Sequence, residues 1–205
     1  MKLTRTPSVG TLLLPAFMLG ASLTACGGSG ASGTAAVPEV PTGPQVTRNL
    51  SRSEADVIEF GGIAPNDTVL VVRKGEARTL VLRHGPPDRA EFLQLDLPAS
   101  VFAEAGKDTI RVTVGCRPGV YGVDLSADAD WGPGAQIAFK YAVHFYPPEG
   151  AVRKYGTLTE VAKRLTVAKR DRNGNLAVYF TTRPGPDIAR ALIPGEGSWV
   201  MVVAK

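Results

Sequence analysis

From Val57 onward, short apolar segments alternate with turn residues, and this pattern constrains the fold more than any other feature of the sequence. In segments 109–114 and 136–145 every second residue is apolar, which is the period of a β-strand with one buried face. Helical periodicity is nearly absent, with one or two turns expected within 158–165 and one within 100–105. The pattern predicts about ten strands.

The strongest local signal is Asn173-Gly174, which lies between two segments with alternating apolar residues. Both residues tolerate the two positive φ angles of a type I′ turn, whose twist suits a hairpin. The side chains expected to line the buried face of this hairpin are Leu165, Val167, Leu176, Val178 and Phe180. A β-hairpin is therefore predicted around this turn.

The last residues of the chain form an apolar run, 199–204, which predicts a strand buried on at least one side. The sequence lacks the crossover helices that a parallel α/β fold needs between its strands. We therefore predict an all-β fold, a single antiparallel β-sandwich of immunoglobulin-like type over residues 57–205.

The N-terminal segment has the layout of a secretory signal. Lys2 and Arg5 supply positive charge, an apolar run of about a dozen residues follows, and small residues lead into Cys26. The run is too short to be a transmembrane helix. Leu23-Thr24-Ala25-Cys26 resembles the lipobox of bacterial lipoproteins. This resemblance implies that residues 1–25 are removed and that Cys26 is acylated, which attaches the protein to the extracytoplasmic side of the cell membrane or the outer membrane.

Residues 26–56 separate this signal from the predicted sandwich. The first part is rich in Gly and Ser, and the second contains Pro38, Pro41 and Pro44. Few apolar side chains here can offset the entropy of ordering, so we predict a flexible tether. The expected organisation is a signal peptide at 1–25, a lipidated tether at 26–56 and a domain at 57–205.

The charge of the predicted mature chain limits its partners. Removing residues 1–25 takes away two of the 23 basic residues and none of the 19 acidic ones, so the net charge falls from +4 to about +2. This near-neutral balance argues against nucleic acid as the main partner. The membrane, through the lipid on Cys26, and a protein of the cell envelope are the predicted partners.

Two other segment pairs carry a second resemblance. Leu97-Pro98-Ala99-Ser100-Val101-Phe102, followed by 109–114, is similar to a run of ZU5-like β-sandwich modules that reads IPAGAF and then ITITV. Segments 121–125 and 136–141 resemble a later run of the same family. The resemblance implies a β-sandwich that serves in protein interaction or surface display and is not a catalyst.

The sequence offers two candidate metal sites. The two histidines, His84 and His144, lie in different segments, and a paired site would need them adjacent in space with a carboxylate. We expect both to be solvated or hydrogen-bonded, with His84 in a turn and His144 on the polar face of a strand. The second candidate is the set Asp124, Asp128 and Asp130, whose spacing fails the pattern of a calcium-binding loop, so cation binding there is left open.

Cys116 is the candidate nucleophile. Arg117 beside it would lower the pKa of its thiol, but no histidine is near in sequence. A small buried residue and an intermolecular disulfide are the alternatives. With Cys26 lipidated, Cys116 has no intramolecular partner. The sequence contains none of the common hydrolase, zinc-protease or P-loop motifs, so no enzyme, catalytic residue, metal or cofactor is predicted.

Two aromatic residues are the candidate partner contacts. Trp131 lies in a Gly/Pro-rich loop beside two aspartates, and Tyr146 comes after a long predicted strand and before two prolines. Core or turn packing is the alternative for Trp131, and packing of an extended Pro-rich segment is the alternative for Tyr146. The predicted function is a membrane-anchored lipoprotein that acts as a non-catalytic protein-binding or accessory module. A carbohydrate-binding module is the second hypothesis, and a hydrolase is the third.

Overall fold

The computed structural model describes residues 41–205, and its secondary structure is mainly β. Residues 41–205 lie within one compact unit. Two short helices, α1 Glu149–Tyr155 and α2 Leu158–Ala162, and a 3₁₀ turn, η1 Ala99–Phe102, interrupt the strands. The strands are β1 Val46–Leu50, β2 Ala55–Val57, β3 Glu59–Phe60, β4 Thr68–Arg73, β5 Arg78–Arg83, β6 Glu91–Leu97, β7 Thr109–Cys116, β8 Gly122–Ala127, β9 Gln136–Lys140, β10 Phe145–Tyr146, β11 Thr166–Arg170, β12 Leu176–Tyr179, β13 Thr181–Thr182, β14 Ile188–Leu192 and β15 Gly197–Ala204.

The strands form two main sheets and one small one. The first main sheet has the order β1-β12-β11-β15-β8-β7-β4, with β2 also paired to β15. The second has the order β13-β14-β9-β6-β5, and β10 pairs with β3 in the small sheet. Every pairing of named strands in the described residues is antiparallel. The predicted all-β antiparallel sandwich is confirmed.

The inner faces of the two main sheets share one hydrophobic core. On β7, Ile110, Val112 and Val114 are buried while Thr109, Arg111 and Thr113 between them are exposed, so the alternation seen in the sequence is the inside–outside alternation of the strand. Core residues from the second sheet include Leu93, Leu95, Ile137 and Phe139. The core therefore lies between the sheets, as in other sandwiches.

Strand β15 is buried on both faces. Trp199, Met201 and Val203 point into the main core, whereas Val200 and Val202 belong to a second apolar cluster on the other side of the sheet. Leu50 and Ala55 cover that second cluster. The predicted burial of the C-terminal strand is confirmed. Its sequence is continuously apolar because both faces of the strand are buried.

The domain begins earlier than the sequence predicted. Strands β1 and β2 lie within the segment assigned to the tether, so the predicted domain start at residue 57 is too late. Four of the five side chains of β1 are exposed, and the strand is held by its backbone pairing with β12. An apolar pattern could not reveal such a strand. The predicted lipidation site and the first part of the tether, residues 26–40, lie outside the described residues.

The long strand predicted at 136–145 is also shorter in the structure. β9 ends at Lys140, and the chain resumes as β10 in the small sheet, where Phe145 pairs with Phe60. Tyr141 is buried and its hydroxyl donates to the carbonyl of Pro186, and His144 adopts a φ of 57°. A residue in the left-handed region cannot continue a strand, so the chain turns here.

The helices account for a small part of the chain. The turns expected within 158–165 and 100–105 are present as α2 and η1, whereas α1 was not predicted. Thr157 caps α2 by accepting a hydrogen bond from the backbone N–H of Glu160 at 3.2 Å. Among residues 41–205, no helix has the length and apolar character needed to cross a bilayer.

The hairpin predicted at Asn173-Gly174 is present, but its turn type is not the predicted one. Strands β11 and β12 pair on either side of it, and Gly174 has a φ of 86°, whereas Asn173 is not in the positive-φ region. The Asp171 carboxylate organises the turn by accepting hydrogen bonds from the backbone N–H groups of Asn173 and Asn175, at 2.8 and 2.7 Å. A type I′ turn needs two positive φ angles, so this prediction is wrong.

We predict that Gly174→Val lowers the free energy of unfolding by about 1–3 kcal/mol, because valine is strained at a positive φ. An added Cβ would also lie 3.3 Å from Cδ of Arg52. The measurement is denaturant unfolding of the full chain in detergent. Gly174→Asn is the matched control, since asparagine tolerates this backbone region and is expected to cost less. Equal midpoints for all three proteins would contradict the prediction.

Candidate functional site

The two predicted partner contacts, Trp131 and Tyr146, lie at opposite ends of β9. Trp131 precedes this five-residue strand and Tyr146 follows it, so about 15 Å of strand separates the two surfaces. Tyr146 is 57% exposed, whereas Trp131 is partly buried and packs on Phe102 with 5.4 Å between ring centroids. The structure therefore does not bring them together, and each surface is described in turn.

Below Tyr146 lies a group of three polar residues, His84, His144 and Asp88, which we call the histidine cluster. The two imidazole rings meet edge to face with 5.1 Å between their centroids. Nε2 of His144 donates to Oδ2 of Asp88, 2.5 Å away. In the sequence the two histidines lie in separate segments. The fold instead joins them, because β10 returns the chain to β3 beside the end of β5.

His84 is the one polar residue in the described part of the chain that is buried in the core, with 2% of its surface exposed. Its ring packs against Phe60, Phe92 and Tyr121 at centroid distances of 5.4, 5.2 and 6.3 Å. Neither ring nitrogen forms a hydrogen bond of normal geometry, and the carbonyl of Ile63 is the backbone acceptor that interacts with the ring. His84 lies outside the strands, in the turn region that the sequence predicted, but it is packed among aromatic rings and is not solvated.

This burial changes the acid–base behaviour of His84. Desolvation by the surrounding rings lowers the pKa of its imidazole below the ordinary value, and the neighbouring His144 lowers it further. The carbonyl of Ile63 and the Asp88 carboxylate act in the opposite direction but are weaker. At neutral pH His84 is therefore the uncharged imidazole. The hydrogen bond from His144 in turn lowers the pKa of the Asp88 carboxyl.

Three glycines allow the rings to pack this closely. A Cβ added at Gly61 would lie 2.8 Å from Cε2 of Tyr146, and one added at Gly62 would lie 2.6 Å from Cδ2 of His144. At Gly85 an added Cβ would lie 2.5 Å from Cγ2 of Ile63. Each distance is shorter than real Cβ contacts allow. Only glycine fits at these positions without displacing the neighbouring side chain.

The segment 61–63 also exposes apolar surface beside the cluster. Ile63 is 62% exposed, which makes it, with Tyr146, one of the most exposed large apolar side chains in residues 41–205. We call these two residues the Tyr146 patch. The turn that leads into it is fixed from below, because the hydroxyl of Tyr121 donates to the carbonyl of Val143. Burial raises the pKa of Tyr121, so this phenol stays protonated and remains a donor.

At the other end of β9, Trp131 forms part of a surface groove of about 650 Å³, which we call the Trp131 groove. The residues that line it are Ala127, Asp128, Ala129, Asp130, Trp131, Lys169, Pro194, Gly195 and Glu196. The indole is held in place because the backbone N–H of Gly132 donates to the carbonyl of Val101 at 2.7 Å. An added Cβ at Gly195 would lie 2.8 Å from Cβ and Cγ of Trp131. Trp131 is therefore a fixed wall of the groove and not a free platform.

Two of the three aspartates considered as a cation site are engaged elsewhere. Asp124 binds the guanidinium of Arg117 through two hydrogen bonds, of 2.9 and 2.8 Å. Asp128 lies 2.6 Å from Nζ of Lys107 and accepts from the backbone N–H of Arg111, and these contacts lower the pKa of its carboxyl. Within residues 41–205 no three His, Cys, Asp or Glu side chains are placed to hold a metal ion.

The environment of Cys116 is the reverse of the one that the sequence suggested. Arg117 was expected to lower the pKa of the thiol, but its guanidinium is bound to Asp124. Burial and the nearby Asp67 carboxylate raise the pKa of the Cys116 thiol to about 11. The side chain is thus a protonated thiol at neutral pH, and a thiolate is the form that acts as a nucleophile.

Sequence reasoning did not identify Asp88, Ile63 or the glycines that support the Tyr146 patch. The only available signal was the pair Gly61-Gly62 directly after a strand, since glycine at such a place often marks a close approach of another chain segment. Comparison with known proteins adds no further residue: no family model, no curated protein and no solved structure matches the chain. The lipobox and ZU5-like resemblances remain predictions.

Proposed function

We propose that this protein is a non-catalytic protein-binding module, held on the extracytoplasmic face of a bacterial membrane by a lipid on Cys26, and that the Tyr146 patch is its contact surface. The observation that supports the contact surface is the exposure of Tyr146 and Ile63, at 57% and 62%, with the Tyr146 ring against Gly61 and Ile63 two residues further along the chain. The membrane attachment rests on the lipobox resemblance.

The chemistry of the patch suits a binding hot spot. Tyrosine combines a large apolar ring with a hydroxyl that can donate or accept, and it is enriched among residues that dominate interface energies. The strand pairing of Tyr146 with Glu59 and the packing of Phe145 on Tyr141, at 5.5 Å, hold the backbone of the patch in place. A surface ordered before binding loses less conformational entropy on binding.

The state of the reactive side chains in the described residues supports a non-catalytic function. The Cys116 thiol has a raised pKa, and the Tyr121 hydroxyl is already donated to a backbone carbonyl. His84 has no hydroxyl or thiol hydrogen-bonded to either ring nitrogen, so it does not activate a nucleophile.

The experiment is partner capture by crosslinking and co-purification from detergent-solubilised membranes, with the full chain carrying single substitutions. Tyr146→Ala and Ile63→Ala are each expected to weaken the affinity for the partner by roughly 30-fold, or about 2 kcal/mol, as hot-spot truncations do. Recovery of the partner should fall accordingly. Leu158→Ala is the matched control, because Leu158 is 55% exposed but lies on α2. Its capture should equal that of the unmodified protein.

The same variants also distinguish protein binding from the second hypothesis, which is a carbohydrate-binding module. The Trp131 groove favours it, since an aromatic wall beside carboxylates suits a sugar ring and its hydroxyls. If Trp131→Ala alone abolishes binding to envelope glycans and the Tyr146 patch variants bind normally, the second hypothesis replaces the first. If capture is lost only in His84, His144 or Cys116 variants, neither surface is the contact.

A further inference from the structure

We propose that the histidine cluster is an acid-sensitive latch that holds the turn 141–146 closed near neutral pH and releases it in mildly acidic solution. The latch would regulate the Tyr146 patch, and in that respect the inference rests on the proposed function. The opening of the turn is a property of the protein alone and is tested without a partner.

The geometry makes a positive charge on His84 costly. Its ring is enclosed by Phe60, Phe92 and Tyr121, neither nitrogen forms a hydrogen bond of normal geometry, and the second imidazole lies 5.1 Å away. A protonated His84 would be a buried cation beside His144. Such a charge is costly unless the surroundings rearrange to let in water or a counter-ion.

The charged groups around the cluster do not supply that counter-ion. Asp88 favours the charged form of His84 only weakly, and its carboxylate is already bound to His144. Glu91 on β6 is held by two cations, Arg83 at 2.9 Å and Lys140 at 3.3 Å. Further titratable or charged side chains on the segments around His84 include Glu59, Arg89, Tyr121 and Tyr146. Of these, Glu59 is exposed on β3 and pairs through its backbone with Tyr146.

The turn is the element that we expect to move. Its side-chain and backbone attachments to the rest of the domain include the hydrogen bond from Tyr121 to the carbonyl of Val143 and the pair between His144 and Asp88. His144 has a φ of 57°, a region in which a non-glycine residue is strained and is kept only by its surroundings. Repulsion from a charged His84 acts directly on this residue.

The direction of the pH effect follows from linkage. The pKa of His84 in the closed cluster lies below its ordinary value of 6.5, so the open turn binds the proton more tightly than the closed one. Closure is therefore complete above about pH 6.5 and is lost as the pH falls through the lowered value. One proton changes the opening equilibrium by at most tenfold per pH unit. Asp88 stays ionised in this window, because the pKa of its carboxyl is lowered.

The chain offers a direct test, because its full sequence contains only two histidines and both are in the cluster. NMR of the isotope-labelled full chain in detergent, from pH 7.5 to 4.5, should show two imidazole signals. We expect the His84 signal to titrate below pH 6.5 and the amides of 141–146 to change with the same midpoint. Amide hydrogen exchange in 141–146, corrected for the intrinsic effect of pH, should rise between pH 7 and pH 5, by at most tenfold per pH unit.

Two substitutions make the test specific. His84→Phe fills the ring site with an apolar side chain and should abolish the pH dependence of exchange in 141–146. His144→Gln can still donate to Asp88 but carries no charge, so it should move the His84 titration to higher pH. If His84→Phe does not fold, this variant tests the latch in its place. The latch is overturned if His84 titrates without any change in 141–146, or if His84→Phe keeps the wild-type pH dependence. Partner capture at neutral pH is unaffected by either result and tests the proposed function separately.

Discussion

Replacing Trp199 by alanine is expected to lower the free energy of unfolding by about 3–5 kcal/mol, the largest effect that we predict for a single core residue. The side chain is fully buried on β15 between the two main sheets. Its ring meets Tyr179 edge to face at 5.1 Å, and its Nε1 donates to the carbonyl of Gly195 at 3.1 Å. The substitution leaves a large cavity and an unpaired carbonyl in the centre of the sandwich.

Denaturant unfolding of the full chain in detergent, followed by circular dichroism, measures this effect. Trp199→Phe is the matched control, since it keeps an aromatic ring in the core and removes the N–H donor. We expect it to cost less than the alanine variant, on the order of 1–3 kcal/mol. Trp131→Ala provides a second comparison, because that indole is only partly buried. If Trp199→Ala is no more destabilising than Trp131→Ala, the core has been assigned incorrectly.

The features of the fold that the sequence predicted are those encoded by neighbouring residues. The alternation in β7 reflects one buried face, and the continuous apolar run of β15 reflects two. Each pattern was recognisable without knowledge of the partner strands. The hairpin between β11 and β12 was found for the same reason. Its turn type was missed because the decisive group is the side chain of Asp171, whose carboxylate competes for the backbone donors of the turn.

Strands stabilised mainly by their backbone escaped detection. In β1, only Leu50 is buried, and in β10 the two residues Phe145 and Tyr146 pair with β3 after an irregular turn. Such strands carry no strong period-two pattern, because their outward side chains are free to be polar. Their positions depend on which edges the rest of the sheet leaves open, and that is a property of the whole fold.

The histidine cluster shows the same limit for a candidate site. Sixty residues separate His84 from His144, and 56 separate His144 from Asp88. Their meeting requires β9 to end at Lys140 and the chain to return to β3, so no local spacing could have indicated it. Conversely, the Asp124, Asp128 and Asp130 series looked like a site because its members are close in sequence, yet Asp124 and Asp128 bind different cations.

The position of Tyr146 links the two proposals. Its backbone is held by β3, its ring lies against Gly61, and the preceding turn is held by the histidine cluster. A change in the protonation of His84 would therefore reach the exposed ring through two residues, His144 and Phe145. By contrast, the Trp131 groove lies beyond the other end of β9 and should be insensitive to it. Binding that weakens in acid would thus point to the Tyr146 patch, and binding that does not would point to the groove.

The second large effect concerns attachment and is expected to be complete: Cys26→Ser should abolish fatty-acid labelling and release the protein from the membrane fraction. The lipobox resemblance makes acylation of this sulfur the source of attachment, and each buried CH₂ of an acyl chain contributes about 0.8 kcal/mol of membrane affinity. Two or more chains hold a protein stably, whereas the unacylated variant has none of them.

Cys116→Ser is the matched control, because Cys116 is the other cysteine of the chain and lies at the end of β7 within the domain. Metabolic labelling with a fatty acid, followed by membrane fractionation, should show wild-type labelling for Cys116→Ser and none for Cys26→Ser. Unchanged labelling of Cys26→Ser would show that the protein is not a lipoprotein acylated at this residue.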